Sequence, residues 1–141
     1  MSDANKKVVR RLLELYNDAD WDGLDDVMSA DYTHHNNGAS MTLAQFRRGA
    51  AWVRAGIPDF HIEIEDVFAE GDRVAARGVG RGTHLGSMFG EKPTSRPVAL
   101  HITVIYRLLD GRVAEDWETM DEYDLRRQVG AVAPGGVAPE G

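Results

Sequence analysis

The spacing of apolar residues changes at Pro58, and this change constrains the fold more than any other feature of the chain. Before Pro58, "VVRRLLELY" and "TLAQFRRGAAWVRAG" repeat apolar residues at helical spacing, and "WDGLDDVMS" predicts a short helix between them. After Pro58, the segments "FHIEIEDVFAE", "DRVAARGVGRGTH", "RPVALHITVIYRL" and "GRVAEDWETMDEY" alternate apolar and polar residues as strands do. Three helices followed by four strands predict an α+β fold, in which the helices cover one face of a curved antiparallel sheet.

Single residues predict two boundaries within the helical half. Thr42 is a plausible N-cap of the third helix, and Gly56, two residues before Pro58, is a plausible stop. The preceding stretch "ADYTHHNNGAS" is rich in turn-forming residues, so we expect turns there. At the far end, "YDLRRQVG" predicts a last helical turn.

Composition limits the class of protein. The chain has 141 residues, which fits one domain, and its final stretch "GAVAPGGVAPEG" has almost nothing to bury. We therefore expect a single domain over residues 1–129 and a flexible tail over residues 130–141. The net charge is −7 and the basic residues are scattered, which argues against a nucleic-acid partner. With no cysteine and no apolar run of membrane-spanning length, we expect a cytoplasmic protein without disulfides or a membrane partner.

The stretch "VAEDWETMDEYD", residues 113–124, crowds six carboxylates around one tryptophan. Strand alternation places Trp117 and Asp121 on one face and Asp116 and Glu118 on the other. Because a large indole is usually buried, Asp121 is the acid expected inside the fold, and most of the other acids are expected in solvent or at a helix cap. The alternative is that Asp121 itself caps the helical turn that follows it.

His101 is a second candidate, and its orientation depends on the turn at residues 110–111. A two-residue turn would place His101 on the opposite face from Asp121, whereas a three-residue turn with a glycine bulge would place both on the face of Trp117. We favour the bulged turn because a mixed set of side chains on this face suits a pocket. That set comprises Ala99, His101, Thr103 and Ile105. A histidine that faces solvent or a neighbouring strand is the alternative.

Two further groups could contribute to a pocket. In "THHNN", residues 33–37, the adjacent histidines point apart if extended and lack metal-ligand spacing, so we expect no metal. The segment is expected to be a plain turn, and one histidine that faces inward to bond a substrate oxygen is the alternative. The loop "HLGSMFGEKP" could fold over a cavity mouth. The apolar residues that could line the cavity, or simply belong to the core, are Tyr16, Trp52, Met88 and Phe89.

The chain also resembles a known family. The segments "NKKVVRRLLELYNDADWDGLDDVMSADYTHHN", "PDFHIEIEDVFAEGDRVAARGVGRGTH", "GTHLGSMFGEKPTSRPV" and "VIYRLLDGRVAEDWETMD" resemble the SnoaL-like polyketide cyclase, or ester cyclase, family of the nuclear-transport-factor-2-like superfamily. The resemblance covers about residues 5–129. It implies a cone-shaped fold, with a strongly curved antiparallel sheet wrapped on three N-terminal helices and a pocket in the mouth of the cone.

The resemblance also implies a function. Characterised cyclases of this kind close a polyketide ring by intramolecular aldol condensation without metal or cofactor, and Asp121 matches their acid/base aspartate. It places His101, His35 and Asn36 at the pocket, and strand alternation places Trp117 there as well, on the face of Asp121. Related members serve in hydroxylation, open epoxides or form ether rings, and a non-catalytic small-molecule-binding protein is a further alternative. A small hydrophobic or aromatic natural product is the expected ligand.

One strand predicts assembly as well. A second face of strand 98–106 is entirely apolar, and helices can cover only one side of a sheet. We therefore expect a homo-oligomer, most simply a twofold dimer through the sheets. The apolar residues are Leu100, Ile102, Val104 and Tyr106.

Overall fold

The computed structural model of the protein describes residues 2–132. It contains three α-helices, one short 3₁₀ helix and six strands. In chain order these are α1 (Ser2–Asn17), the 3₁₀ helix (Gly23–Asp26), β1 (Met28–Asn36), β2 (Ala39–Thr42), α2 (Leu43–Gly56), β3 (His61–Glu70), β4 (Arg73–Thr83), β5 (Pro97–Leu109), β6 (Arg112–Met120) and α3 (Glu122–Gln128). None of these helices combines the length and the apolar character that a bilayer span requires.

The strands form one curved, open sheet in the order β2-β1-β6-β5-β4-β3. All neighbours are antiparallel except β1 and β6, which run parallel. The predicted α+β architecture is confirmed, but two details of the prediction are wrong. The sheet is mixed and six-stranded rather than four-stranded and antiparallel, and only two of the three α-helices are N-terminal, because "WDGLDDVMS" forms a single 3₁₀ turn and α3 follows the last strand.

The two extra strands come from the stretch predicted as turns. Asn37 and Gly38 both have positive φ, 50° and 84°, and join β1 to β2 as a tight two-residue turn, with Asn36 paired to Ala39. Asn-Gly is the residue pair that favours this hairpin turn. Thr42 then caps α2 in a capping box with Gln45, which confirms the predicted start of this helix.

The helices α1 and α2 pack on the inner face of the sheet. The dimer prediction assumed that the apolar face of β5 is left uncovered by helices, and this assumption is wrong. The apolar face of β5 is this inner face, because Val104 and Tyr106 are buried in one core cluster with Leu12 and Leu13 of α1. It is therefore covered by helices and is not free for a second subunit. Phe60 can also lie close to the inner face, because a Cβ on Gly80 would stand 2.2 Å from its ring.

The short helix α3 is fixed to the part of β5 that extends beyond its pairing with β6, which ends at Ile102 and Met120. The Gln128 side chain accepts from Ala99 N at 2.8 Å and donates to Ala99 O at 2.7 Å, in the manner of a neighbouring strand. Gly130, at φ 87°, ends the helix, and Ala131 N donates to Arg126 O at 2.8 Å. The flexible tail predicted for residues 130–141 lies, from residue 133 onward, outside the described residues.

Candidate active site

A cavity of about 260 Å³ lies between the helices α1 and α2 and the inner face of the sheet. Most of its wall is apolar or aromatic, which is typical of a small-molecule site. The apolar wall includes Leu12, Tyr16, Phe46, Trp52, Phe60, Ile62, Leu100, Ile102, Val104 and Met120. Most of the polar wall comes from β1 and β6, whose parallel register places His34 beside Asp116 and Asn36 beside Glu118, and Glu122 of α3 adds a further carboxyl to the lining.

The β5–β6 hairpin decides which acids face this cavity. Asp110 and Gly111 have φ 53° and 78° and form a two-residue turn, so the favoured three-residue turn is wrong. The extra residue lies instead within β6, at Ala114, where the pairing shifts by one. From there on, Asp116 and Glu118 lie opposite Tyr106 and Val104, and both carboxylates line the cavity.

Trp117 consequently lies on the outer face, and the expectation that its indole points inward is wrong. The ring stacks on His35 with centroids 5.5 Å apart, and the Arg73 guanidinium lies 4.9 Å from its centroid. These two neighbours cover the indole without help from the core. An indole can be half-buried on an outer sheet face when polar side chains with flat or long stems cover it.

Asp116 is the centre of a buried hydrogen-bond network. The Tyr32 hydroxyl donates to its Oδ2 at 2.6 Å, and His34 Nδ1 donates to its Oδ1 at 2.6 Å. The exposed fractions of Tyr32, His34 and Asp116 are only 2%, 4% and 3%. A buried carboxylate is tolerated when its oxygens are paired in this way.

The network also fixes the state of His34. Because Nδ1 donates its N–H to a hydrogen bond with Asp116, Nε2 is the ring nitrogen that gains or loses a proton. Burial lowers the pKa of His34, but the hydrogen bond and charge of Asp116, together with the charge of Glu118, outweigh burial and raise this pKa above its ordinary value of 6.5. His34 is therefore protonated more readily than a free histidine.

Glu118 is the second acid of the polar wall. Burial raises its pKa from 4.5 to about 7, and the charge of Asp116 adds to this rise, while the charge of His34 opposes it. Within residues 2–132, its carboxyl makes no hydrogen bond, unlike that of Asp116. A carboxyl of this kind exchanges its proton near neutral pH and is free to bond a ligand.

The three residues predicted to be catalytic lie elsewhere. Asp121 is exposed and caps α3, its Oδ1 accepting from Asp124 N at 3.0 Å, and it is not part of the cavity wall. His101 is exposed and sits across from Asp121 on the sheet, where their backbones meet at 3.4 Å. His35 lies on the outer face, 2.6 Å from Glu115 through Nε2.

Of the residues predicted to bind substrate, Tyr16, Asn36 and Trp52 line the cavity. Met88 does not, because it is buried in the core beneath α2, 1% exposed, with its side chain against Gly56. Phe89 meets the cavity indirectly, since its ring packs edge-on against Trp52 at 5.0 Å. The loop containing Met88 and Phe89 is thus fastened to the core rather than standing open.

The residues that sequence reasoning missed are Tyr32, His34, Asp116 and Glu118. Nothing in the sequence of β6 marks the two acids, because Asp116 and Glu118 reach the apolar face of β5 only through the one-residue shift in pairing at Ala114. Within the described residues, no group of three histidines or acids is placed to hold a metal ion.

Comparisons with known proteins agree with this architecture. The sequence model of the SnoaL-like polyketide cyclase family matches residues 6–129. No sequence of a curated protein matches the chain. AclR from Streptomyces galilaeus, proposed to be a hydroxylase, is 26% identical, and the match covers 94% of this chain and 100% of AclR with a TM-score of 0.87.

Two further solved structures are similar. IdmH from Streptomyces antibioticus, proposed to be a polyketide cyclase, is 26% identical over 89% of this chain and 98% of IdmH, with a TM-score of 0.83. A proposed SnoaL-like polyketide cyclase from Jannaschia sp. CCS1 is 21% identical over 94% of this chain and 96% of its own, with a TM-score of 0.84, and shares the fold. Since the family match spans nearly all described residues and the fold agrees, this chain belongs to the SnoaL-like polyketide cyclase family.

Proposed function

We propose that this protein closes a ring in a polyketide-type natural product by acid/base chemistry, with Glu118 as the general base. The observation that carries the proposal is the Glu118 carboxyl, which has no hydrogen-bond partner among the described residues, lines the polar wall of a mostly apolar cavity and has a pKa raised to about 7 by burial. A base with a pKa near the working pH is the most effective proton acceptor at that pH. The family match and the similarity to IdmH support a cyclase.

The cavity suits an aldol-type ring closure. Removing a proton from a carbon between two carbonyls leaves an enolate, and the donors of the same wall, His34 and Asn36, can stabilise its oxygen. The apolar wall excludes water, which strengthens these interactions and protects the intermediate. Proton transfer of this kind requires no cofactor, and positioned acid/base groups contribute roughly a hundredfold to ten-thousandfold in rate.

One comparison favours a second candidate function. AclR, which is as similar in sequence as IdmH, is proposed to be a hydroxylase, so an accessory role in hydroxylation is the second candidate for the same cavity. Epoxide opening and plain ligand binding are the other candidates that the cavity would accommodate. All four use the same wall and differ in what happens to the ligand.

Product analysis separates ring closure from hydroxylation and from plain ligand binding. We would incubate the protein with a keto-ester polyketide and follow the products by mass spectrometry. Aldol ring closure gives an isomer of the substrate, or that isomer minus water, and consumes no oxidant. A product that has gained an oxygen atom would favour hydroxylation, and recovery of unchanged substrate that nevertheless titrates into the cavity would favour a binding protein. Either result would contradict the cyclase proposal.

We also propose that the protein is a cytoplasmic homodimer, formed through the outer face of the sheet. A row of directly paired residues crosses that face from β3 to β1, and we call it the outer row: Phe68, Ala75, Ile105, Trp117 and His35. Phe68 is 68% exposed and Ile105 is 42% exposed. The adjacent row carries both signs of charge, in Glu70, Arg73, Arg107 and Glu115, which a twofold axis can bring into complementary pairs.

A further inference from the structure

We infer that His34 is a second proton-transferring group of the cavity, held in place by Asp116 and Tyr32, and that it acts as the acid that complements the base Glu118. This inference rests on the proposed function, which it deepens by assigning the acid. Three observations carry it: the orientation of the His34 ring, its place in the register of the sheet, and the charges around it.

Two direct contacts fix the orientation of the ring. Nδ1 is engaged by Asp116 at 2.6 Å, and the Asp116 carboxylate is itself held at its other oxygen by Tyr32 at 2.6 Å. The ring of Phe46 packs edge-on against the imidazole at 5.2 Å. Among residues 2–132, nothing hydrogen-bonds Nε2, and His34 lines the cavity, so Nε2 is the atom it can offer to a ligand. A positioned imidazole oriented by a carboxylate is the arrangement that proton-transferring histidines require.

The register of the sheet places the two groups side by side. In the parallel pairing of β1 with β6, His34 is opposite Asp116 and Asn36 is opposite Glu118. His34 and Glu118 are therefore diagonal neighbours on the inner face, and the charge of each acts on the other. A ligand whose carbon-bound proton contacts Glu118 therefore also lies within reach of His34 on the same wall.

The surroundings favour a proton on His34. The titratable groups that face it or share its cavity are Tyr32 from β1, Asp116 and Glu118 from β6, Tyr106 from β5, Tyr16 from α1 and Glu122 from α3. From α2, the ring of Phe46 packs against the imidazole, and the Arg54 guanidinium lies over the ring of Tyr16. The tyrosines have raised pKa values and stay neutral, so the charged neighbours of His34 are carboxylates, which favour its protonated form.

The step balances without a further reactant. The Glu118 carboxylate takes the proton from the carbon between two carbonyls, and the electron pair of that C–H bond forms the enolate. The enolate carbon forms the new C–C bond to a second carbonyl carbon, whose π pair moves to its oxygen. That oxygen takes the proton from Nε2 of protonated His34. Transfer of one proton from Glu118 back to His34, through solvent, restores both groups.

The first test needs no substrate. The His34 ring would be titrated by NMR in the ligand-free protein, in wild type and in Asp116→Asn, which keeps an acceptor for Nδ1 but removes the charge. We expect the wild-type ring to titrate above 6.5, and the midpoint to fall by about 1–3 pH units in the variant, since an adjacent opposite charge is worth that much. Glu115→Gln is the control, because Glu115 contacts the neighbouring histidine His35 through Nε2 at 2.6 Å on the outer face, and its change should leave the His34 midpoint where it is. An Asp116→Asn midpoint equal to wild type would overturn the inference.

The second test uses the reaction and stands even if Asp116→Asn does not fold. An acid must be protonated, so kcat/KM should fall as pH rises through the His34 transition, and this alkaline limb should be absent in His34→Gln. A role in structure alone would lower the rate equally at all pH values and would overturn the inference. If Glu118→Gln keeps full turnover while the alkaline limb depends on His34, the proposed base is wrong and the His34 assignment stands. If Glu118→Gln is inactive while His34→Gln keeps the limb, the His34 assignment is wrong and the proposed base stands.

Discussion

At the scale of single residues, the site depends on the different surroundings of two acids on the cavity wall, Asp116 and Glu118. Asp116 accepts hydrogen bonds at both oxygens and holds Tyr32 and His34, whereas Glu118 has no such partner in the part of the chain that the structure describes, and burial raises its pKa to about 7. The same strand thus supplies one acid that is fixed and one that can move a proton. Environments that push the protonation behaviour of neighbouring groups apart are a common mark of acid/base sites.

Removing the Tyr32 hydroxyl should destabilise the protein. Tyr32→Phe leaves Oδ2 of Asp116 buried without its donor, and an unsatisfied buried group of this kind costs about 1–3 kcal/mol. We expect a lower midpoint in urea denaturation. Tyr123→Phe is the control, because Tyr123 is 42% exposed and its change should leave the midpoint where it is. Equal midpoints for wild type and Tyr32→Phe would show that the hydroxyl does not satisfy Asp116.

The raised pKa of Glu118 predicts a pH-dependent stability. Its folded-state pKa is about 7 and its ordinary value is 4.5, so between these values the folded chain binds more protons than the unfolded chain, and stability falls as pH rises. The full cost is present above about pH 7 and absent below about pH 4. Glu118→Gln removes that cost and should be more stable than wild type by up to about 3 kcal/mol at pH 8, since each unit is worth about 1.4 kcal/mol. Urea denaturation of wild type and Glu118→Gln at pH 8 and at about pH 4 measures this difference in stability. A difference that does not change with pH would mean that the Glu118 carboxyl ionises normally in the folded protein.

At the scale of secondary-structure elements, the loop between β4 and β5 connects the cavity mouth to the core. Met88 fixes the loop beneath α2, and Phe89, in a left-handed conformation at φ 52°, reaches Trp52 on one side and the Arg126 guanidinium, 4.2 Å from its ring, on the other. A bulky residue adopts this backbone conformation at a cost, so the contacts of its ring must hold it there. Trp52 is 45% exposed and lines the cavity, which places it at the mouth.

Removing the Phe89 ring should therefore weaken ligand binding without changing proton transfer. In Phe89→Ala, Trp52 loses its edge-on neighbour and we expect a several-fold larger Kd for an aromatic ligand, followed by tryptophan fluorescence. The pH profile of turnover should stay unchanged, because the polar wall is on β1 and β6. Phe68→Ala is the control, since Phe68 is an exposed phenylalanine on the outer face. If both variants bind like wild type, Phe89 does not position Trp52.

The sequence predicted those helices and strands in which apolar residues recur at regular spacing. The helices α1 and α2, the N-cap Thr42 and the four strands β3 to β6 follow from the spacing of apolar residues. The strands β1 and β2 did not, because polar residues such as His34 and Asn36 occupy their inward positions and hide the alternation. The parallel pairing of β1 with β6 joins residues about 80 positions apart, such as His34 and Asp116, and no local pattern encodes it.

The candidate site was predicted less well, for a related reason. Alternation shows that Asp116 and Glu118 share a face and that Trp117 has the other, but it does not show which face is inside. The inward orientation was assigned to the largest apolar side chain, and Trp117 is covered on the outer face by His35 and Arg73 instead. The extra residue at Ala114 also shifts the pairing within β6, and nothing in its immediate sequence marks it.

At the scale of the whole molecule, the outer face of the sheet is the surface that remains to be covered. The helices occupy the inner face, while the outer row presents Phe68 and Ile105 to solvent. Exposed apolar residues that are paired across several strands form a continuous patch, and such patches mark interaction surfaces.

The dimer proposal predicts a disruptive single change. Ile105→Glu places a charge in the middle of the outer row, opposite its own copy or close to it, and we expect the protein to become monomeric by light scattering at micromolar concentration. Leu85→Glu is the control, because Leu85 is 51% exposed but lies in the loop after β4, outside the outer row. A wild-type protein that is already a monomer at this concentration would refute the dimer.

The central claim is that Glu118, on the cavity wall, is the base of the reaction. The most direct test compares the rate of ring closure on a keto-ester polyketide in wild type, Glu118→Gln and Asp121→Asn, with the fold of each variant checked by circular dichroism. Asp121 is the family counterpart of the acid/base aspartate by resemblance, but here it caps α3 and is exposed. We expect Glu118→Gln to lose roughly a hundredfold to ten-thousandfold in kcat, as removal of a general base does, and Asp121→Asn to stay close to wild type. Full turnover by Glu118→Gln together with an inactive Asp121→Asn would contradict this assignment.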